Sequence, residues 1–294
     1  MPNPSRFSAL ALVAVLFLTA PAAAQQRGPL YIVGGGPQPP ALVQEFVDLA
    51  GGRGKSRIVV FAMASASGPE SGEEKAVQLR GLGAEARNVW VTREQAMTDS
   101  VARLLDGATG VWFGGGDQVR LADVLRGTPT ERAIHARHAA GAVIGGTSAG
   151  AAVMSAVMLT GGERQPGGER PDTTMAWGTI ARENVLTQPG FALIESAIID
   201  QHFLRRKRHN RLISLVLERE PHLGAGIDES TALVVRADGT GVVRGARVGV
   251  IYDARRAERS GADGPLGGTN LRMHVLPAGA TFDPRSGAAA LAKP

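Results

Sequence analysis

The sequence predicts a single α/β domain, a mainly parallel β-sheet flanked by helices. Three observations carry this. Along the first half of the chain, short apolar runs that end in glycines alternate with segments of helical periodicity, and such alternation builds a parallel sheet covered on both faces. Residues 141–154, GAVIGGTSAGAAVM, set a serine among small residues where an apolar run gives way to a helical stretch. No internal repeat or shift in composition divides the 294 residues, and 44% of them are apolar, ample for one buried core.

The elements follow in order. PLYIVGGG is a buried strand meeting a loop. PALVQEFVDLAG has helical spacing and ends at Gly51; SRIVVFAMASA is a second buried strand and GEEKAVQLRGLG a helix. EARNVWVT is strand-like, DSVARLLDGA helical, and TGVWFGGGDQ a strand running into glycines. Helical patterns cover Gln118 to Leu125 and Thr130 to Ala140 before the strand that leads to the serine. The tract GGERQPGGERPDTT, residues 161–174, reads as a polar loop of a length that suits an active-site border. ESAIIDQHF is a strand ending in polar residues and HNRLISLVLERE a helix. LGAGIDESTALVVRADGTGVVRG gives two strands and a hairpin turning at Asp238-Gly239, and VGVIYDA and RMHVLPAG are strand-like.

Composition narrows the function. The formal charge is +5, but Lys and Arg are scattered and no RNA-binding motif or basic tail is present, so nucleic acid is not an expected partner. The absence of cysteine excludes disulfides, a thiol nucleophile, thiolate metal sites and a lipoprotein anchor. MPNPSR, then FSALALVAVLFLTA, then PAAAQQ has the charged, apolar and Ala-x-Ala parts of a secretory signal peptide. Cleavage is expected after Ala24, leaving residues 25–294 as a periplasmic or secreted domain without stable membrane insertion. The apolar run is short of the roughly 20 residues a membrane span needs.

Gly146-Thr147-Ser148-Ala149-Gly150 fits G-x-S-x-G, a strand-turn-helix elbow whose small residues let the serine oxygen stand clear of the sheet. The helix after it offers free N–H groups and a positive dipole end to a developing oxyanion. A serine nucleophile needs a base oriented by a carboxylate. Of six histidines, His135 and His138 fall in a polar helical stretch and read as solvated. They could share a face and a metal, but no third ligand is evident. His209 and His222 lie at a helix start and in a loop, and His274 reads as structural. His202 follows SAIID, at the C-terminal sheet edge where α/β folds collect ligands. Asp228 and Glu229 follow LGAGI, and alternation points only one of them at the imidazole. The resulting order Ser, His, acid differs from the Ser, acid, His of α/β-hydrolases. FGGGDQ, residues 113–118, is a weak phosphate cradle and a better oxyanion donor beside Ser148. Arg205, Arg206, Lys207, Arg208 and Arg211 crowd the segment after His202, which suggests a pocket for carboxylates.

FGGGDQVRL, GAVIGGTSAGAAVM, IIDQHFLRRKRHNRL and GIDESTALVV, in this order, resemble cyanophycinase, in the serine peptidase family that also holds aspartyl dipeptidase. The block His202-Phe203-x-x-Arg206-x-Arg208-x-x-Arg211 favours the cyanophycinase branch. The resemblance spans roughly Leu30 to Val235 and implies a class I glutamine amidotransferase-like architecture. It also implies a triad of Ser148, His202 and Glu229, an oxyanion hole near Gly116 and at Ala149, and substrate contacts from Gln118, Gln201, Arg206, Arg208 and Arg211. The implied reaction releases β-Asp-Arg dipeptides from cyanophycin, a poly-aspartate bearing arginine on each side chain, without metal or cofactor; family members are commonly dimers. Two features depart from the pattern, the first glycine loop continuing as PQPP and the 161–174 tract that is this chain's own, so the alternatives are a related peptidase acting on other acidic or isoaspartyl peptides and an inactive peptide-binding protein.

Overall fold

The computed structural model describes residues 26–165, 168–170 and 177–293. The expected signal peptide, residues 1–24, and residues 166, 167 and 171–174 of the polar tract lie outside them.

In chain order the first half runs β1 (Leu30–Val33), α1 (Pro40–Leu49), β2 (Arg57–Phe61), α2 (Gly68–Gly81) and β3 (Glu85–Asn88). It continues through α3 (Arg93–Ala96), α4 (Asp99–Ala102), β4 (Gly110–Phe113), α5 (Gln118–Leu125), α6 (Pro129–Ala139), β5 (Val143–Thr147) and α7 (Ala149–Ala152). The five strands pair in parallel in the order β1-β5-β4-β2-β3. Their unbroken apolar runs, LYIV and IVVF among them, follow from burial on both faces. Alternation along β1 sends Ile32 to one core, with Leu121 of α5 and Ile134 of α6, and Tyr31 and Val33 to the other. The second core is closed by Phe46 of α1 and Leu79 of α2. In α1 the buried Leu42, Val43, Phe46 and Val47 form one stripe at helical spacing, after a proline at the first helical position.

The second half runs β6 (Val157–Gln165), β7 (Gly168–Arg170), β8 (Val185–Pro189), β9 (Ile198–Asp200), α8 (His209–Glu218) and β10 (Leu223–Ile227). Then come β11 (Thr231–Val235), β12 (Gly241–Gly245), β13 (Val248–Asp253), β14 (Glu258–Arg259), β15 (Gly268–Thr269), β16 (Arg272–Pro277), β17 (Thr281–Asp283) and β18 (Ala288–Ala290). Beyond β1 the large sheet is continued antiparallel by β11, β12, β17 and β18, so it is mixed, with a parallel core. A second sheet, β16-β13-β10-β9, keeps only β9 and β10 parallel. The Asp238-Gly239 turn joins β11 to β12, with the Gly239 N–H bonded to the Arg236 carbonyl at 2.8 Å.

Three local readings need correction. Much of the 161–174 tract is strand: β6 pairs antiparallel with β7 and β8. Met158 and Leu159, buried upstream of the tract, commit the backbone to extension, and ladder hydrogen bonds then carry the polar residues along. DSVARLLDGA forms only the one-turn α4 and a 3-10 turn over Arg103–Leu105. EARNVWVT leaves the sheet at Asn88, because Thr92 caps α3 in a reciprocal capping box with Gln95. Among the described residues no helix is long and apolar enough to cross a membrane.

Candidate active site

Ser148 is the single residue between β5 and α7, with φ 54° and ψ −112°. A non-glycine residue there stores strain and needs fixing from both sides. Its N–H bonds the Val33 carbonyl at 3.0 Å, and its own carbonyl accepts the N–H groups of Ala151 and Ala152 at 3.0 Å. The helix behind it is a single turn rather than a run to Met154. The carbonyls of Val153 and Met154 accept from Phe191 and Ile194, so the chain leaves the helix after Ala152. The dipole of a long helix is therefore not available, and what remains are the first-turn N–H groups, Ala149's foremost.

His202 follows β9. Its ring Nε2 lies 2.9 Å from Ser148 Oγ and its Nδ1 lies 2.7 Å from Glu229 Oε1. A carboxylate only accepts, so the Nδ1 carries hydrogen and the Nε2 is left to accept the serine O–H. Burial holds the imidazole below its ordinary pKa of 6.5. The charges of Arg206 and Arg208 add to this, while the hydrogen bond and charge of Glu229 oppose it. The neutral ring is the form that can take a proton. Glu229 follows β10, and its neighbour Asp228 points elsewhere: the Asp228 side chain is 2% exposed, accepts the Arg205 N–H at 3.0 Å and faces Arg247 at 3.4 Å. The choice between the two carboxylates, open in the sequence, falls on Glu229.

Two glycine loops close on this line. In the loop after β4, a Cβ on Gly115 would stand 3.6 Å from Ser148 Cβ, whereas one on Gly116 would strike the Ala64 carbonyl. Gly115 is thus the residue whose face is turned to the serine. In the loop after β1, a Cβ on Gly35 would stand 2.4 Å from the His202 ring and one on Gly36 2.7 Å from Glu229 Cβ. Sequence reasoning gave Gly35 and Gly36 no part in the site. The signal available was the run of three glycines after β1, at the same sheet edge as Ser148.

The side chains expected around the triad are arranged differently. Gln118 is buried, its Nε2 donating to the Leu159 carbonyl at 2.8 Å. Gln201 presents Oε1 at 3.5 Å from Ser148 Oγ and accepts Arg208 Nη1 at 2.9 Å. Arg208 and Arg211 are each 1% exposed, so they do not form the open carboxylate pocket their spacing suggested. Arg211 grips Asp200 with Nε at 2.8 Å and with Nη2, while Arg208 also bonds the Gln201 carbonyl. The buried Asp200 charge requires such partners. Arg206 stays partly exposed, near enough to His202 for its charge to bear on the ring. His138 is likewise not solvated: it is 6% exposed with Nε2 2.8 Å from the Gly28 carbonyl. His209 Nδ1 meets the Tyr252 hydroxyl at 2.6 Å, and His222 Nδ1 meets the Val216 carbonyl at 2.8 Å. Among the described residues no three His, Asp or Glu side chains cluster as a metal site.

A serine in a strand-to-helix turn, in line with an imidazole and a carboxylate at the edge of an α/β sheet, defines a serine-type hydrolase. Residues 32–243 match Peptidase family S51, and the chain belongs to that family. A cyanophycinase of Trichormus variabilis is 39% identical over 196 residues, 65% of this chain and 62% of that protein. The chain therefore spans less than two thirds of that relative's length. A cyanophycinase of Geminocystis herdmanii is 32% identical over 243 residues, covering 80% of this chain and 85% of its own. The crystal structure of a peptidase from an acI-B1 actinobacterium superposes with a TM-score of 0.61 over 88% of this chain and 98% of that one, at 23% identity. That likeness is one of fold.

Proposed function

We propose that the protein is a serine exopeptidase that hydrolyses cyanophycin to β-Asp-Arg dipeptides through an acyl-enzyme. The observation that carries the chemistry is the hydrogen-bonded line from Ser148 through His202 to Glu229. Ser148 Oγ attacks the scissile carbonyl carbon as His202 Nε2 takes the hydroxyl proton, and Glu229 steadies the imidazolium. Backbone N–H groups at Ala149 and in the Gly115-Gly116 loop receive the oxyanion. The tetrahedral species collapses, the C–N bond breaks, and the leaving amine takes the proton from His202. Water then attacks the ester, giving its proton to His202, and Ser148 recovers the proton as the acid product departs.

The likeness to cyanophycinases over most of the chain supports the polymer as substrate. In this reading Arg206, whose charge bears on His202, meets a substrate carboxylate, and Gln201, with Oε1 3.5 Å from Ser148 Oγ, is the amide beside the nucleophile. A second reading, hydrolysis of other acidic or isoaspartyl peptides, is favoured by the burial of Arg208 and Arg211, which leaves less cationic surface for a polymer. Incubation with insoluble cyanophycin, with Ser148→Ala as control, decides between them. Mass analysis that finds β-Asp-Arg from wild type alone supports the first reading. Serine-probe reactivity without dipeptide release supports the second. Secretion after cleavage at Ala24 and assembly as a homodimer belong to the same proposal; N-terminal sequencing of exported protein and light scattering test them.

A further inference from the structure

We infer that Asp228 is a positioning residue: its buried carboxylate latches the turn that bears His202 to the turn that bears Glu229. The inference rests on the reading of His202 as base and Glu229 as its partner.

The two side chains leave the ends of neighbouring parallel strands, β9 and β10; beyond those ends the regular ladders give way to single backbone ties, such as Asp228 N–H to the Val248 carbonyl at 3.3 Å and Ser230 N–H to the Gly35 carbonyl at 2.9 Å. His202 has φ 47° and Ser230, just after Glu229, has φ 56°. Conformations of this kind are strained and persist only where the surroundings over-determine them. The His202 N–H is held by the Gly34 carbonyl at 2.6 Å, and the next N–H, of Phe203, by the Ile227 carbonyl at 3.2 Å. Three residues past the histidine, the Arg205 N–H is held by Asp228 Oδ1 at 3.0 Å. This last tie is made by a side chain from the glutamate's own turn, so it joins the two turns directly.

Stability alone is a poor reason for this carboxylate. It is 2% exposed, and its cationic partner Arg247 is 52% exposed and 3.4 Å away. Burying a charge against so open a partner costs more than an apolar residue would. The cost is offset by order in the turn that sets the imidazole. Asp228 touches neither His202 nor Ser148 and acts through the backbone it holds.

The test compares Asp228→Ala, Asp228→Asn and Arg247→Met with wild type, each confirmed folded by circular dichroism. The readouts are the rate of labelling by a fluorophosphonate serine probe and the low-field proton resonance of the His202 Nδ1–H. A base displaced by about 1 Å loses on the order of 100-fold in rate, so Asp228→Ala should label that much more slowly, with the resonance broadened. Asp228→Asn keeps an acceptor oxygen and should stay within about threefold of wild type. Arg247→Met should label like wild type. Should Asp228→Ala fail to fold, Asp228→Ser, whose hydroxyl is too short to reach Arg205, takes its place under the same expectation. Labelling at the wild-type rate by the Ala or Ser variant, or an Asn variant as slow as Ala, overturns the latch alone. A folded wild type that does not label removes the nucleophile and base assignment, and the latch with it.

Discussion

Replacing Gly35 by alanine should disable the site without unfolding the protein. The added Cβ would stand 2.4 Å from His202 Cε1 and Nε2, and ordinary contact begins at 3.4 Å, so the imidazole must retreat by about 1 Å. A retreat along the serine direction carries the 2.9 Å contact between Nε2 and Ser148 Oγ out of hydrogen-bond range. Misplacement of this size costs on the order of 100-fold in rate. The backbone adds its own penalty, since Gly35 has φ +102° and a side chain in that region costs about 1–2 kcal/mol. Gly52 supplies the matched control: its φ is +81°, and nothing lies within 4 Å of its Cβ position. Both variants should carry the backbone penalty in urea unfolding, Gly35→Ala losing the more through its clash with His202, and only Gly35→Ala should lose serine-probe labelling per folded molecule. Labelling of Gly35→Ala within about threefold of Gly52→Ala would refute the close packing of this loop on the base.

Other expectations follow from the same geometry. Glu229→Gln should leave the fold intact and lower kcat by on the order of 10³-fold or more, because the neutral amide no longer stabilises the imidazolium and can turn its NH2 to Nδ1, which selects the wrong tautomer; steady-state kinetics beside thermal melting checks it. The base works unprotonated and burial holds its pKa below 6.5, so kcat/KM should fall only as pH drops below 6.5, with the acid limb centred lower still. Arg206→Met removes a charge that depresses that pKa and should move the limb upward; a wild-type limb centred above 6.5 contradicts the assignment. Arg211→Met should read as lost stability, about 3 kcal/mol in urea. That is the low end for orphaning a buried charge, because Arg208 remains 3.9 Å from Asp200. A raised KM at unchanged stability would instead restore Arg211 as a substrate contact.

What the sequence made legible were abrupt junctions. Ser148 and His202 each sit where a buried strand meets residues that cannot continue it, and such points need no partner to be recognised. The acid was half legible: period-two alternation says that Asp228 and Glu229 diverge, but which faces the imidazole depends on how β9 and β10 pair. The burial of the arginine block was not legible because charge spacing reports cations and not their counterions. Asp200, ending the apolar run IID, is the counterion that draws Arg208 and Arg211 inward. The strand content of the 161–174 tract was hidden because a backbone ladder forms whatever the side chains, and Gly-Pro-rich composition reports only the side chains.

The triad draws on two sheets, and this explains why the end of β1 matters more than its composition suggests. Ser148 comes from the large sheet, whereas His202 and Glu229 come from the ends of β9 and β10 in the smaller one. Their mutual placement needs a joint between the sheets. The Val33 carbonyl holds the Ser148 N–H, the Gly34 carbonyl holds the His202 N–H, and the Gly35 carbonyl holds the Ser230 N–H beside Glu229. Three consecutive carbonyls thus hold two members of the line and the residue next to the third, and Gly35 and Gly36 lack side chains where His202 and Glu229 press closest. A strand end that offers successive acceptors while presenting no Cβ has to be glycine-rich for reasons of space as well as turning. VGGG is the sequence that meets both demands, which is why changes in this loop, remote from the reacting atoms in sequence, should register first in the rate.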